Sequence, residues 1–300
     1  MHYWVMEISV IIVTYNSAGQ IAQCLDSVFR QVGVEFEVVV VDNASADDTL
    51  GQLKKFSQVR VIASAENLGF GRGNNLGFAA SRGQYAYLLN PDARLVGPGA
   101  LLELCRTMDA KPHWGMAGTC VKDADGKLES KPATEYPGQR HVHRDFSKLP
   151  GKIAWLIGAS LVVRRELYEK LGGFDPAFFL YSEETDFCLR MRQFGHEIGH
   201  LSGVVVEHVG GASEDHRDPY EVSARRLRGL ILFRQKHYAP EDCVFLARRD
   251  FRRARFRMFW NGLAARCQPR HSVAWRKYRQ YFAIWEISRE YLFSSTKCSA

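Results

Sequence analysis

At 300 residues, 46% hydrophobic and 24% charged, the chain can bury a substantial core as one large or two modest domains, and its composition excludes a disordered or low-complexity protein. The formal net charge of +7 is unevenly spread: residues 1–214 carry 21 Lys and Arg against 25 Asp and Glu, a balance of −4, whereas residues 215–300 carry 19 against 8, a balance of +11. A basic tail behind a slightly acidic body points to an anionic partner, whether membrane phospholipid, a diphosphate-bearing substrate or nucleic acid.

From the amino terminus, Ile8–Thr14 is β-branched and almost wholly apolar, the pattern of a strand covered on both faces of a parallel sheet. A helix follows, with Asn16 or Ser17 as its cap and Ile21, Leu25 and Val28 on one face. Phe36–Val41 is the next buried strand and ends at Asp42. Asn43–Asp48 supplies turn and cap residues for a helix through Phe56, and Val59–Ala63 gives a third strand, so the rhythm is βαβαβ. A helix is expected over Asn74–Ser81 and a strand over Tyr85–Leu89, stopped by Asn90-Pro91-Asp92 because proline donates nothing to a ladder. Ligands of open α/β sheets collect outside the carboxyl ends of the strands, so Asp42 and Asp92 are expected to share a crevice.

Leu101–Met108 is expected to be helical, and residues 123–150, polar and Pro-bearing, to form a mobile loop near the site. Order returns at Trp155–Val163 and continues through a helix at Arg165–Leu171. The segment Phe174–His196 then delivers Glu183, Glu184 and Asp186 from an aromatic run into the first turn of a helix, with Ser182 as candidate cap. A helix dipole welcomes acids there with or without chemistry. Val204–Val206 is a last strand leading to His208, and beyond Pro219 the pattern is helical and basic.

Several motifs lose their first meaning in context. HEIGH, His196–His200, matches a zinc-protease signature by letters, but Gly195 and Gly199 interrupt the helix that would bring both imidazoles to one face. Gly69-Phe70-Gly71-Arg72-Gly73 is a GxGxG run away from the first strand, which argues against a Rossmann cofactor; it is either a glycine-rich turn or a loop admitting close backbone approach to a ligand. The seven cysteines form no CxxC pair, which fits a reduced, cytoplasmic setting. No basic leader is evident, and the apolar stretch Ile153–Val163 is shorter than the roughly 18 residues of a membrane span. Membrane contact is therefore expected to be peripheral.

Asp42, Asp92 and His208 make a pattern: an acid at one strand end for ribose or base hydroxyls, an acid at another for a divalent cation, and a histidine as second ligand. Mixed carboxylate and imidazole ligation suits Mn²⁺ or Mg²⁺ bridging a diphosphate. In the tail, Arg225, Arg226, Arg228, Arg234 and Lys236, and then Arg248, Arg249, Arg252, Arg253, Arg255 and Arg257, alternate with apolar and aromatic residues as in helices that lie on anionic lipid. A nucleic-acid-binding tail would also be basic, but no recognisable reader motif occurs and none is expected to bind.

In order along the chain, SVIIVTYNS, VVVVDNAS, ENLGFGRGNN, LLNPDA, WLIGASLVVRRELYEKLGGFDPAFFLYSEETDFCLRMRQFG and EHVGGAS resemble the inverting family 2 glycosyltransferases of GT-A fold, especially their rhamnosyltransferase-like branch. The resemblance implies an α/β fold with a Rossmann-like, mostly parallel sheet flanked by helices over residues 1–214, and a basic helical appendage over 215–300. Nucleotide-sugar binding falls to about residues 1–122 and acceptor binding and catalysis to about 123–214. It further implies that Thr14, Tyr15 and Asn16 border the nucleotide, Asp42 binds base or ribose, and Glu66, Asn67, Gly69 and Asn74 shape the donor pocket. Asp92 stands where the family's DxD metal aspartate stands, although this chain reads Asn90-Pro91-Asp92, and His208 matches the histidine that completes metal binding.

The family's E-D-x-D base motif appears as Glu183-Glu184-Thr185-Asp186, which leaves the base among Glu184, Glu183 and Asp186. Trp155, Gly158, Ala159 and the run Phe178–Tyr181 are candidate walls for sugar and acceptor, or ordinary core. The implied reaction moves a sugar, first rhamnose from dTDP-rhamnose, otherwise a hexose from a UDP- or GDP-sugar, to a glycan or polyprenyl-diphosphate-linked acceptor in cell-surface polysaccharide synthesis. Its setting would be the inner face of the cytoplasmic membrane. A non-catalytic nucleotide-sugar-binding protein is the alternative.

Overall fold

The computed structural model of the chain describes residues 6–123, 125–128, 131–208, 218–266, 268–270 and 272–297. Residues 1–5 ahead of the first strand and the Val209–Ser213 part of EHVGGAS lie outside them. Two compact units separate, one drawn from Met1–Tyr136, Lys148–Phe179 and Glu183–Ser213, the other from Pro137–Ser147, Leu180–Ser182 and Glu214–Ala300.

In chain order the first unit runs β1 (Ile8–Thr14), α1 (Ile21–Phe29), β2 (Phe36–Asp42), α2 (Thr49–Leu53), β3 (Val59–Ala63), α3 (Gly69–Ala79), β4 (Tyr85–Leu89), β5 (Ala93–Leu95), α4 (Ala100–Ala110), β6 (Trp114–Lys122), β7 (Ser160–Arg164), α5 (Arg165–Lys170), α6 (Glu183–Gln193) and β8 (Glu197–His208). The strands form one sheet in the order β3-β2-β1-β4-β7-β6-β8-β5. From β3 to β4 all pairings are parallel; beyond β4 the sheet is mixed, because β7 runs antiparallel to both β4 and β6. Successive residues of β1 point to opposite faces and meet two cores. Val10 and Ile12 join α1 and α4 on one face, whereas Ile11 joins Phe174, Phe187 and Met191 on the other.

Four local expectations are corrected. The helix expected from Asn74 begins at Gly69, so the GxGxG run is its first turn and not a loop. A Cβ on Gly77 would stand 2.6 Å from Ile11 Cγ2, which shows that the glycines let α3 lie close on β1. Asn16 and Ser17 do not cap α1, whose N-cap is Gln20 without a side-chain bond. Val204–Val206 is only the end of the twelve-residue β8, and His200, within HEIGH, is a strand residue paired with Gly118. Gly199 is needed there because the Trp114 ring covers it so closely that a Cβ would collide. Extended backbone rises about 3.3 Å per residue, so positions four apart lie about 13 Å from one another instead of one helical turn, which disposes of helical zinc ligation by His196 and His200.

The second unit contains α7 (Pro219–His237), α8 (Pro240–Arg266) and α9 (Val273–Lys297). Ala224 and Leu227 of α7 pack with Ala283 and Ile287 of α9, and Asp218 caps α7 by accepting from Tyr220 N–H. Pro137–Ser147, part of the stretch expected to serve acceptor binding and catalysis, clusters with these helices. Asp242 of α8, nearly fully buried, accepts from the His143 N–H at 3.0 Å and lies 2.7 Å from His143 Nδ1, while Tyr238 donates to the Pro137 carbonyl at 3.0 Å. No described helix is long and apolar enough to cross a membrane.

Candidate active site

Strand register fixes the first part of the site. Thr14 and Asp42 end β1 and β2 side by side, and Thr14 Oγ1 donates to Asp42 Oδ1 at 3.0 Å while the Ser45 N–H donates to Oδ2 at 3.1 Å. Asp42 is buried and its lone pairs are aimed by these bonds. Tyr15 and Asn16 follow at the strand end. Asn16, at φ 53, donates its N–H to Ser45 Oγ at 2.9 Å and accepts from the Ala46 N–H at 2.8 Å. The loops beyond β1 and β2 are thus locked together by polar bonds.

Glu66 is exposed, and Asn67 Oδ1 accepts from the Gly69 N–H at 2.9 Å where α3 begins. Gly69 sits at φ 79, where a Cβ would collide with the Phe179 carbonyl, and that carbonyl accepts from the Phe70 N–H at 3.0 Å. Asn74 is buried and donates to the Phe70 carbonyl at 2.9 Å. Asn43, not among the expected site residues, also belongs to this neighbourhood: its Nδ2 donates to the Gly69 carbonyl at 3.0 Å, tying β2 to the start of α3. Its place directly after Asp42 was the available signal.

The short β5 pairs antiparallel with β8, opposing Ala93 to His208. This brings His208 Nε2 to 3.1 Å from Asp92 Oδ1 and 3.2 Å from Asn90 Nδ2. Adjacent ligands of an octahedral Mg²⁺ or Mn²⁺ with bonds of about 2.1 Å lie about 3 Å apart, so Asp92 and His208 have the bite such an ion requires. Among the described residues no group of three or more His, Cys, Asp or Glu could hold a metal. Two protein ligands with remaining positions for phosphate oxygens is the arrangement of a substrate-bridging cation.

The three acids of α6 have three different surroundings. Glu183 is only 3% exposed, and its Oε2 has no hydrogen-bond partner. Burial, with the charge of Glu184 adding to it, pushes the Glu183 carboxyl well above the usual range. Glu184 is half-buried and faces the 155–159 segment: a Cβ on Gly158 would stand 3.9 Å from its own. Asp186 is fully buried and pairs with Arg190 Nε at 2.7 Å, while the same guanidinium donates to the Leu171 and Gly173 carbonyls. The i,i+4 spacing of Asp186 and Arg190 was legible in the sequence. Ser182, the expected cap, stands at φ 70.

Trp155 donates its Nε1–H to the Glu135 carbonyl at 3.2 Å, and the Ala159 carbonyl accepts from the Asn90 N–H at 3.0 Å, joining the expected wall to the Asp92 turn. Phe178 is buried and Phe179 is 46% exposed. Tyr181 belongs to the second unit, at φ 74, with the Arg226 guanidinium 5.0 Å from its ring centroid.

The model of glycosyl transferase family 2 matches residues 9–172. The chain is 26% identical over 257 residues to the N-acetylglucosaminyl-diphospho-decaprenol L-rhamnosyltransferase of Mycobacterium tuberculosis, covering 75% of this chain and 82% of that one. It is 27% identical over 256 residues to the y4gI protein of Sinorhizobium fredii, but spans only 28% of that protein's length against 78% of its own. Among solved structures, the mannosyltransferase PcManGT of Pyrobaculum calidifontis, in complex with GDP-Man and Mn²⁺, is similar with a TM-score of 0.57 and 19% identity over 97% of this chain and 75% of that one.

Proposed function

The chain belongs to glycosyl transferase family 2 and has the GT-A fold, and from that premise we propose that it transfers a sugar, with inversion, from a nucleoside-diphosphate donor to a glycan or polyprenyl-diphosphate-linked acceptor of cell-surface polysaccharide synthesis. The observation that carries this reading is the Asp92–His208 pair at 3.1 Å, with Asp92 following the carboxyl end of β4, which runs parallel to β1 as does β2, at whose carboxyl end Asp42 stands. Asp42, oriented by Thr14, holds the ribose or base, and Tyr15, Asn16, Asn67 and Gly69 border the donor. Asp92 and His208 would hold Mn²⁺ or Mg²⁺, which when bound supplies neutralising charge to the departing diphosphate.

Glu184 is the base. It is the one acid of the first turn of α6 that is half-open, and it faces Gly158, whereas Glu183 is buried and Asp186 is engaged by Arg190. Its carboxylate accepts the proton of the acceptor hydroxyl as that oxygen attacks the anomeric carbon from the face opposite the leaving phosphate. Burial and the Glu184 charge raise the Glu183 carboxyl above the usual carboxylate range, and its buried position removes it from the acceptor. Single displacement at that carbon inverts it.

Rhamnose from dTDP-rhamnose is the first donor, supported by the 26% identical rhamnosyltransferase; a GDP- or UDP-hexose is the second, supported by the GDP-Man complex of the structural neighbour. The reaction is assigned to the inner face of the cytoplasmic membrane, with the enzyme peripheral to anionic lipid. A thermal-shift panel of dTDP-rhamnose, GDP-mannose and UDP-N-acetylglucosamine, each with and without Mn²⁺, tests the whole reading. One donor should raise Tm, more so with metal, and Asp92→Ala should remove the metal's increment. Absence of any donor shift would overturn it.

A further inference from the structure

Helix α8 carries two surfaces of opposite character. One packs on α9 within the second unit: Phe251 stacks on Trp285 with centroids 6.0 Å apart, Ala254 is buried, and Gly262 lies where a Cβ would meet the Tyr278 ring at 3.3 Å. The other exposes Phe256, Phe259, Trp260 and Leu263 by 63, 61, 55 and 42%. These four recur at i, i+3, i+4 and i+7 and so form one ridge on the outer side of the helix. Single exposed apolar residues need no explanation, but four adjacent large ones do.

The surrounding charge is of one sign. From Arg248 to Arg266 the helix carries seven arginines and a single acid, Asp250, and that acid is ion-paired with Arg234 at 2.6 Å. Arg252, Arg253, Arg255 and Arg257 are all exposed beside the ridge. A second copy of this chain is a poor occupant, because a symmetric contact would bring like charges together with no exposed acid on this stretch to compensate. An anionic bilayer fits both halves of the pattern: aromatic rings and leucine favour the acyl boundary, and guanidinium groups favour the lipid phosphates around it.

We propose that the ridge Phe256–Phe259–Trp260–Leu263 of α8 inserts into the interfacial layer of an anionic membrane while the flanking arginines pair with its phosphates. The proposal names the docking element and the partner behind the peripheral membrane setting given above, and rests on that reading for its purpose only. Lipid binding needs neither donor nor acceptor, so its failure is separable from failure of the transferase reading, which the donor panel reports.

The test is flotation of the full chain with vesicles of phosphatidylcholine alone or mixed equally with phosphatidylglycerol, without donor or metal. Two variants accompany it: F256S/F259S/W260S, and R252E/R253E/R255E/R257E. All seven residues are exposed, and a cooperative thermal unfolding transition close to that of wild type, measured without donor, checks that each variant is folded. The wild-type chain should float only with anionic vesicles, and each variant should lose about tenfold or more in partitioning. Absence of flotation by the wild type would overturn the proposal. So would full retention by the aromatic variant, which would leave surface attraction without insertion, or a wild-type oligomer that the aromatic variant dissociates. Displacement from vesicles by a single-stranded RNA at equal phosphate concentration would assign the arginines to nucleic acid and equally overturn it.

Discussion

Glu183 and Glu184 are neighbours in the chain with opposite surroundings, and the difference sets their chemistry. Glu184→Gln keeps the size of the half-open side chain but removes proton acceptance, so kcat should fall by about 10²- to 10⁴-fold with donor affinity unchanged, measured by turnover beside calorimetric titration. Glu183 has a carboxyl raised by burial and by Glu184. The folded state therefore keeps a proton that the unfolded state releases above a pKa of about 4.3. The stability linked to this group is full below that value and declines as pH rises toward the raised folded value. Glu183→Gln removes the ionisation, so its Tm should exceed that of wild type at pH 7–8 and match it near pH 4. Equal differences at both pH values would refute the assignment. The acidic cluster was legible as letters, and its division into buried, half-open and ion-paired members was not. Exposure of three residues in one helical turn depends on what packs against each face.

Among the elements, α3 teaches the most. Its first turn is written Gly-Phe-Gly-Arg-Gly, a composition that local propensity assigns to a turn, since each glycine costs about 1 kcal/mol in a helix relative to alanine. The helix forms because tertiary packing outweighs that cost: only glycine lets it approach Ile11, and only glycine fits beside the Phe179 carbonyl. Gly77→Ala, favourable by propensity, should therefore destabilise by about 1–3 kcal/mol in urea unfolding, because the new Cβ would stand 2.6 Å from Ile11 Cγ2. Strand β8 is a similar case. Its polar, glycine-bearing first half has no strand signature and is recruited by parallel pairing with β6. That pairing extends β8 to His208, and the antiparallel β5 then carries Asp92 to it. A three-residue strand is too short to leave a periodic signal, yet it brings the two candidate metal ligands together.

For the molecule as a whole, the charge division at residue 214 and the division into units nearly coincide, except that Pro137–Ser147 and Leu180–Ser182 cluster with the C-terminal helices. Phe146, 5% exposed, packs edge-on against Tyr238 at 6.1 Å, and His143 is held by Asp242. Deleting residues 214–300 should leave Pro137–Ser147 without these partners. Limited trypsin digestion should then cut first at Arg140 or Arg144, and the same bonds should resist in the full chain; equal resistance in both would contradict the clustering. The sequence by itself determined the βαβαβ order, the strand ends carrying Asp42 and Asp92, the family, and the basic helical tail. The strand order, the strand ends and the basic tail follow from periodicity and composition, and the family from the resemblance of its motifs to those of known members, all of which are properties of contiguous residues. Tertiary structure alone decided the start of α3, the contact of Asp92 with His208 across 116 positions, the separation of Glu183 from Glu184, and the attachment of Pro137–Ser147 to α8. Each of these depends on which distant surfaces meet, and no local pattern encodes that.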